Sequence, residues 1–283
     1  MPGNQNRVPT GIVALIITLL IVFSTTLKAQ FTIRESFGEN NLLSPRLVMG
    51  GSAQLTAAAG IDPLGSGWLR LTGNTTNQVG FCYVNQGFPS DLGLLIEFEY
   101  TAWSPTAASR PVADGFSMYL FDSTYGPGNF QIGQDGGALG YGEVDQATHP
   151  TGWTLGPGLT GGYLGLGLDE FGNYSVKQTT SDNTAPGLRA HTIALRGPTA
   201  SHTSYITGTG ANLGGTVYAG QTISYPGVAA SRPTSSLFYR KVQILLEKVG
   251  TNYQITVSMQ VAESGSMRAV FGPITLTTPR LLT

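Results

Sequence analysis

The chain has 283 residues, which is enough for one large all-β domain or for two small domains. Only 11% of the residues are charged, while glycine (39) and proline (16) are plentiful, so the composition argues against long soluble helices and favours short strands joined by turns. The formal net charge of −1 and the lack of a basic patch interleaved with aromatic residues argue against nucleic acid as a partner.

Residues 1–29 have the pattern of a secretory signal peptide. Arg7 precedes the apolar run 11–23 (GIVALIITLLIVF), and the small residue Ala29 stands at a plausible cleavage site. The run is shorter than the roughly 20 residues that a membrane-spanning helix needs. We therefore predict a signal peptide over 1–29, a mature domain over 30–283, no stable membrane span after cleavage, and a secreted or cell-surface location. The alternative is an uncleaved anchor.

Alternation of apolar and polar residues predicts a series of strands. In Leu94–Tyr100 (LLIEFEY), the two glutamates lie on the face opposite the isoleucine and the aromatic residues. No stretch combines a sustained period of 3.6 with helix caps, so we predict one antiparallel sandwich or jelly roll, with a long surface excursion over Thr199–Ser236. The further predicted strands are Trp68–Leu71, Phe81–Val84, Gly115–Phe121, His191–Arg196, and a hairpin of Val242–Val249 with Tyr253–Ser258.

Cys82 is the only cysteine, which excludes an internal disulfide. It lies inside the apolar, strand-like run Phe81–Val84 (FCYV). We interpret it as a small buried hydrophobic residue and not as a reactive thiol.

Two glycine-rich segments share the pattern G-G-x-L-G-x-G, namely Gly136–Gly142 and Gly161–Gly167. We interpret both as strands that another layer approaches closely, because glycine has no side chain to prevent it. Between them, Gly156–Gly161 formally matches the dinucleotide fingerprint. Pro157 lies inside that match and a strand follows it where a helix is required, so we interpret it as a turn.

Catalytic patterns are sparse. The sequence has neither an H-E-x-x-H nor a G-x-S-x-G motif. Asp169 and Glu170 are adjacent, so on a strand they point to opposite faces and cannot converge on a glycosidic bond. We therefore predict that the protein is not an enzyme; glycoside hydrolysis is a less favoured alternative.

Asp169, Phe171 and Asn173 alternate at the end of the second glycine-rich segment. An extended chain places all three side chains on one side, and Gly172 allows a bend. A carboxylate, a backbone carbonyl and an amide oxygen could then converge as ligands of calcium, which binds 6–8 oxygens. The alternative is that Asp and Asn satisfy the backbone of a turn. The residues alone leave both interpretations open.

Three segments together resemble, in order and spacing, the L-type (legume-like) lectin family and especially its bacterial secreted members: Ala113–Leu120 (ADGFSMYL), Gly136–Tyr141 (GGALGY) and Leu166–Asn173 (LGLDEFGN). The likeness extends from about Phe37 to the C-terminus. It implies an all-β, concanavalin A-like jelly-roll sandwich of antiparallel sheets that binds carbohydrate non-covalently with the help of Ca²⁺. The alternative is a structural or adhesive surface module that keeps the scaffold without a sugar site.

The resemblance also implies roles for individual residues. Asp114, preceded by a cis peptide bond, would accept hydrogen bonds from two sugar hydroxyls, and the Gly137 N–H would donate to the sugar. Phe171 would pack on the sugar face while its carbonyl binds calcium. Asn173 would contact both calcium and sugar, and Asp169 would be the main calcium carboxylate.

The sequence departs from the family in three places. Gly167 replaces the glutamate that binds a second, transition metal in legume members, so we expect no such metal and a structural role for His191. Val176 stands where a second calcium acid normally follows, and we expect Asp182 to replace that acid. The chain stops soon after Pro273–Leu276, before the usual specificity loop, so we expect a C-terminally truncated domain.

Overall fold

The computed structural model describes residues 32–105, 113–126, 128–145, 155–199, 204–209 and 228–276. The predicted signal peptide, much of the predicted excursion and the residues after Leu276 lie outside these ranges. The chain divides into two units, residues 1–34 and residues 35–283, and the second unit carries every strand given below. Within the described ranges, no helix has the length and apolar character needed to cross a membrane.

The described residues form strands connected by loops and short 3-10 turns, which confirms the all-β prediction. The strands are β1 (Leu47–Gly51), β2 (Gln54–Leu55), β3 (Leu69–Arg70), β4 (Gly80–Val84), β5 (Leu94–Tyr100), β6 (Gly115–Phe121), β7 (Gly162–Asp169), β8 (Thr192–Arg196), β9 (Tyr205–Gly208), β10 (Arg240–Val249), β11 (Asn252–Val261) and β12 (Arg268–Leu276). The 3-10 turns are Ser90–Leu92, Gly136–Ala138, Asn173–Ser175 and Ser236–Phe238.

Two four-stranded antiparallel sheets pack face to face. The front sheet has the order β6-β7-β8-β9, and the back sheet has the order β12-β11-β10-β5. The main apolar core draws side chains from both sheets, among them Leu164, Leu166 and Leu168 of β7 and Val242, Ile244 and Leu246 of β10. This arrangement is the predicted sandwich. Two smaller sheets, β1-β4 and β2-β3, complete the described part.

Most strand predictions agree with the structure. Strands β5 and β6 begin and end at the predicted residues, and β10 and β11 form the predicted hairpin. The predicted strand Trp68–Leu71 is reduced to the two residues of β3. The segment Gly156–Gly161 contains no helix and leads into β7, as expected of a turn.

Strand β7 is buried on both faces, which explains its glycines. Its leucines face the main core. On the other face, a Cβ at Gly165 would lie 2.3 Å from the ring of Tyr141, and a Cβ at Gly167 would lie 2.3 Å from the ring of Tyr174. Both tyrosines belong to a second apolar cluster, which covers the front sheet. The prediction that glycine admits another layer is therefore confirmed for this strand.

The same prediction is wrong for Gly136–Gly142. This segment begins with the 3-10 turn Gly136–Ala138 and forms no strand. Gly136, Leu139 and Gly140 have φ angles of 57°, 52° and 74°. A chain with three residues in the left-handed region cannot follow the extended path of a strand.

Candidate functional site

Strand β6 begins and strand β7 ends at the same residue pair, so the segment before β6 lies beside the loop that follows β7. Gly115 is paired with Asp169, so Asp114 lies directly before the ladder and the next loop follows directly after it. The Asp114 carbonyl accepts hydrogen bonds from the N–H groups of Glu170 (2.9 Å) and Phe171 (3.2 Å). The peptide bond that precedes Asp114 is cis, as the lectin resemblance implied. The sheet therefore fixes the Asp114 backbone against the Phe171 loop.

The side chains of Asp114 and Asn173 are in contact. Asn173 Nδ2 donates a hydrogen bond to Asp114 Oδ1 at 3.3 Å, and both residues are half-buried. Burial raises the pKa of the Asp114 carboxyl, the bond from Asn173 lowers it, and the nearby Asp135 raises it. An acceptor carboxylate and a donor amide thus lie next to each other at one end of the front sheet.

The Gly136–Ala138 turn reaches the same place. A Cβ at Gly136 would lie 3.9 Å from Asp114 Oδ2. Gly137 lies in the first turn of this 3-10 helix, where backbone N–H groups have no acceptor within the helix. The structure therefore brings together Asp114, Asn173 and the turn that contains Gly137.

Two polar side chains hold this turn in place, and neither was anticipated from the sequence. Gln178 Nε2 donates to the Gly137 carbonyl at 3.4 Å. The Ser117 hydroxyl, on β6, donates to the Leu139 carbonyl at 2.7 Å. A lone serine within a strand and a glutamine within a loop are too common to have indicated these contacts.

Asp169 closes the turn that carries Asn173. Its side chain is fully buried, and its two oxygens accept hydrogen bonds from the N–H groups of Gly172 and Tyr174, each at 2.7 Å. Burial raises the pKa of Asp169 to about 7, although the two backbone hydrogen bonds oppose this shift. This is the turn-closing role that the sequence left open as the alternative to calcium binding.

Asn173 also has one polar atom without a partner. Its Oδ1 is buried and accepts no hydrogen bond from the described residues. This oxygen is therefore available to accept a hydrogen bond from a ligand. Phe171, two residues earlier, is half-buried, and its N–H donates a hydrogen bond to the Asp114 carbonyl.

Asp182 has other partners than the expected calcium ion. It forms a fully buried ion pair with Arg196, whose Nη1 lies 2.6 Å from Asp182 Oδ2. Its Oδ1 accepts a hydrogen bond from the Tyr205 N–H at 3.1 Å. Both oxygens of the carboxylate are therefore engaged within the protein.

Part of the donor set expected for calcium already has partners within the protein. Calcium binds 6–8 oxygens, yet both Asp182 oxygens are engaged and each Asp169 oxygen already accepts a backbone N–H. Asn173 Oδ1 is the one side-chain oxygen of the expected set left without a partner in the described ranges. Among the residues that the structure describes, no three His, Cys, Asp or Glu side chains are grouped to hold a metal ion.

His191 is engaged with a carboxylate at the position that resembles the family's second metal site. Its Nδ1 lies 2.9 Å from Glu170 Oε2, and Glu170 raises the pKa of the imidazole. The space beside Gly167, where legume members carry a glutamate, is filled by the ring of Tyr174. The two acids Asp169 and Glu170 thus have separate partners.

Arg196, the last residue of β8, organises the loop after Asn173 and was not anticipated from the sequence. It is fully buried, and its Nε donates to the Tyr174 carbonyl (2.8 Å) while its Nη2 donates to the Val176 carbonyl (2.6 Å). Its guanidinium carbon also lies 5.3 Å from the centre of the Tyr174 ring. The sequence signal for this role was an arginine on the strand face that also carries Ala194, at the end of a mostly apolar strand.

No protein-family model matches the chain, and no curated protein matches it.

Proposed function

We propose that this protein is a carbohydrate-binding module of the L-type lectin kind, exported to the cell surface or the medium. The proposed scaffold is the concanavalin A-like jelly roll, and the proposed activity is non-covalent and non-enzymatic. The observation that carries this proposal is the contact between Asn173 Nδ2 and Asp114 Oδ1 beside the Gly136–Ala138 turn. Three separate loops meet there, and they contain the residues that the lectin resemblance assigns to sugar.

The chemistry of the three loops suits a pair of sugar hydroxyls, because each hydroxyl both donates and accepts hydrogen bonds. The Asp114 carboxylate would accept from two hydroxyls, while the Gly137 N–H and the Asn173 amide would donate to them. Hydrogen bonds to a charged acceptor are the stronger kind. The half-buried ring of Phe171 would pack on the apolar face of the sugar.

A site of this size gives weak binding. A few hydrogen bonds to neutral groups contribute about 0.5–1.5 kcal/mol each, and those to a carboxylate contribute about 1.5–3 kcal/mol. After the cost of association, these contributions correspond to a Kd between about 0.1 mM and 1 mM. Surface proteins compensate for such affinity by presenting several copies to one glycan.

A glycan array with the mature chain, followed by titration of the best ligand, tests the proposal. Asp114→Asn keeps the shape of the side chain and removes its charge, so we expect affinity to fall at least about tenfold. The melting temperature should stay within about 2 °C of the wild type, because the amide oxygen of asparagine can still accept the hydrogen bond from Asn173 Nδ2.

Asp122→Asn is the matched control. Asp122 follows β6 where Asp114 precedes it, so it lies at the opposite end of the same strand, and its Oδ1 accepts hydrogen bonds only from Thr124 in the described part. This variant should bind like the wild type. If no glycan binds, or if Asp114→Asn changes stability but not binding, the structural or adhesive module becomes the better interpretation. Turnover of a polysaccharide would instead favour a glycosidase.

A further inference from the structure

We infer that the site loop, residues 170–191 between β7 and β8, is held in shape by Arg196 and not by a divalent cation, so that sugar binding does not require calcium. The inference rests on the proposed function for its binding readout. Its cation readout needs no sugar.

Arg196 gathers the oxygen acceptors of the site loop. It donates to the carbonyls of Tyr174 (2.8 Å) and Val176 (2.6 Å) and to the Asp182 carboxylate (2.6 Å). Backbone carbonyls and a carboxylate are also the groups that a calcium ion would gather. A guanidinium performs the same task with donors in a fixed planar arrangement.

Asp169 gathers hydrogen-bond donors of the same loop. It accepts the N–H groups of Gly172 and Tyr174. The residue Tyr174 is therefore held at both backbone groups, its N–H by Asp169 and its carbonyl by Arg196. Asn173 immediately precedes it, so the position of Asn173 against Asp114 follows from these two anchors.

The same arrangement disfavours a cation at Asp182. Asp182 and Arg196 are both fully buried, and their charges cancel. A calcium ion at Asp182 would have to displace the guanidinium or lie beside it, and like charges at short range in a poorly solvated region repel strongly. Displacement would also leave a buried arginine without its anion, which is costly.

The wild-type protein provides the first test. Its melting temperature should differ by less than about 1 °C between excess chelator and 5 mM CaCl₂, because an ion that does not bind the native state cannot stabilise it. Calorimetric titration with CaCl₂ should show no binding below about 1 mM. A rise in melting temperature of more than about 5 °C, or a calcium Kd in the micromolar range, would overturn the inference.

The second test compares Arg196→Met with Arg232→Met. Arg232 forms an ion pair of the same length, 2.6 Å, with Asp62, which is on a different loop. Below the melting temperature of each variant, we expect Arg196→Met to lose at least tenfold in sugar affinity and to exchange the amide hydrogens of residues 172–176 faster. Arg232→Met should lower the melting temperature without changing either quantity.

Arg196→Lys keeps the charge and loses the planar fork, so it provides a milder variant if Arg196→Met does not fold. We expect it to restore part of the affinity in chelator, because the ammonium can still donate to Asp182. Wild-type affinity in Arg196→Met, or equal loss in both arginine variants, would contradict the role of Arg196. If the wild type binds no glycan, the proposed function fails, and the melting, calorimetric and exchange measurements still decide whether a cation holds the loop.

Discussion

Replacing Gly167 with alanine tests whether the ring of Tyr174 packs against β7 and thereby holds the loop that carries Asn173. A Cβ at this position would lie 2.3, 2.5 and 2.8 Å from three atoms of that ring. Carbon atoms in contact are normally about 3.5–4.0 Å apart, so the ring or the strand has to move by about 1 Å. Tyr174 has little freedom to move, because it is fully buried and both its backbone groups are hydrogen-bonded to side chains.

The expected loss of stability follows from this overlap. Overpacking of a buried site costs about 1–3 kcal/mol. Alanine loses less backbone entropy than glycine when the strand folds, which offsets about 0.5 kcal/mol of that cost. The net loss is therefore about 0.5–2.5 kcal/mol, and in a protein of this size each kcal/mol lowers the melting temperature by about 2–4 °C. Sugar affinity should fall as well, because Asn173 is the neighbour of Tyr174.

Urea denaturation followed by tyrosine and tryptophan fluorescence measures the effect. Gly126→Ala is the control, because a Cβ there would have no other atom within 4 Å. We expect Gly126→Ala to be neutral. If Gly167→Ala is as stable as this control, the ring does not pack against β7 as described, and the account of the site's support is wrong.

Two further predictions concern titrating groups. Burial raises the pKa of the Cys82 thiol to about 11, so only about one thiol in a thousand is ionised at pH 8. A disulfide reagent should therefore label the folded protein at least about 100-fold more slowly than the protein in urea. Similar labelling rates would contradict this prediction. Glu170 raises the pKa of His191 above its ordinary value of 6.5, so the protonated imidazole stabilises the fold; this contribution is complete below pH 6.5 and is lost as the pH rises through the raised value. His191→Asn, in which asparagine tolerates the φ of 56°, should therefore destabilise the protein more at pH 6 than at pH 9, whereas equal losses would show that the Glu170 pair contributes nothing.

The sequence predicted best where one pattern decides one structure. In Leu94–Tyr100, alternation separates a core face from a polar face, and the strand begins and ends where the alternation does. In Gly136–Gly142, glycine is compatible with both extended and left-handed backbone. Leu139 also adopts the left-handed conformation there, with a φ of 52°. Leucine rarely adopts this conformation, so the sequence did not indicate that the segment would not form a strand.

The contacts of the candidate site likewise include some that the sequence could predict and some that it could not. The lectin resemblance assigned Asp114 and Asn173 to one site, and in the structure the two side chains are in contact beside the end of the β6–β7 ladder. The partner of Asp182 could not be predicted in this way. Its choice of Arg196 depends on which face of β8 turns toward the loop, and the two residues are 14 positions apart. The only sequence signal was an arginine at the end of a mostly apolar strand, because an arginine that becomes buried there needs an acid as its partner.

The pairing of Gly115 with Asp169 at the end of the β6–β7 ladder positions one part of the proposed site, the Asp114 loop, but not the other part, the segment 133–140. The register fixes the Asp114 backbone against the start of the site loop, and the anchors Asp169 and Arg196 then set the position of Asn173, so the contact between the acid and the amide depends on the sheet and on both anchors. The segment 133–140 instead closes on itself through two hydrogen bonds of 2.7 Å. Substitutions of its side chains would therefore change the surface beside Asp114 without moving the strand register that positions Asp114.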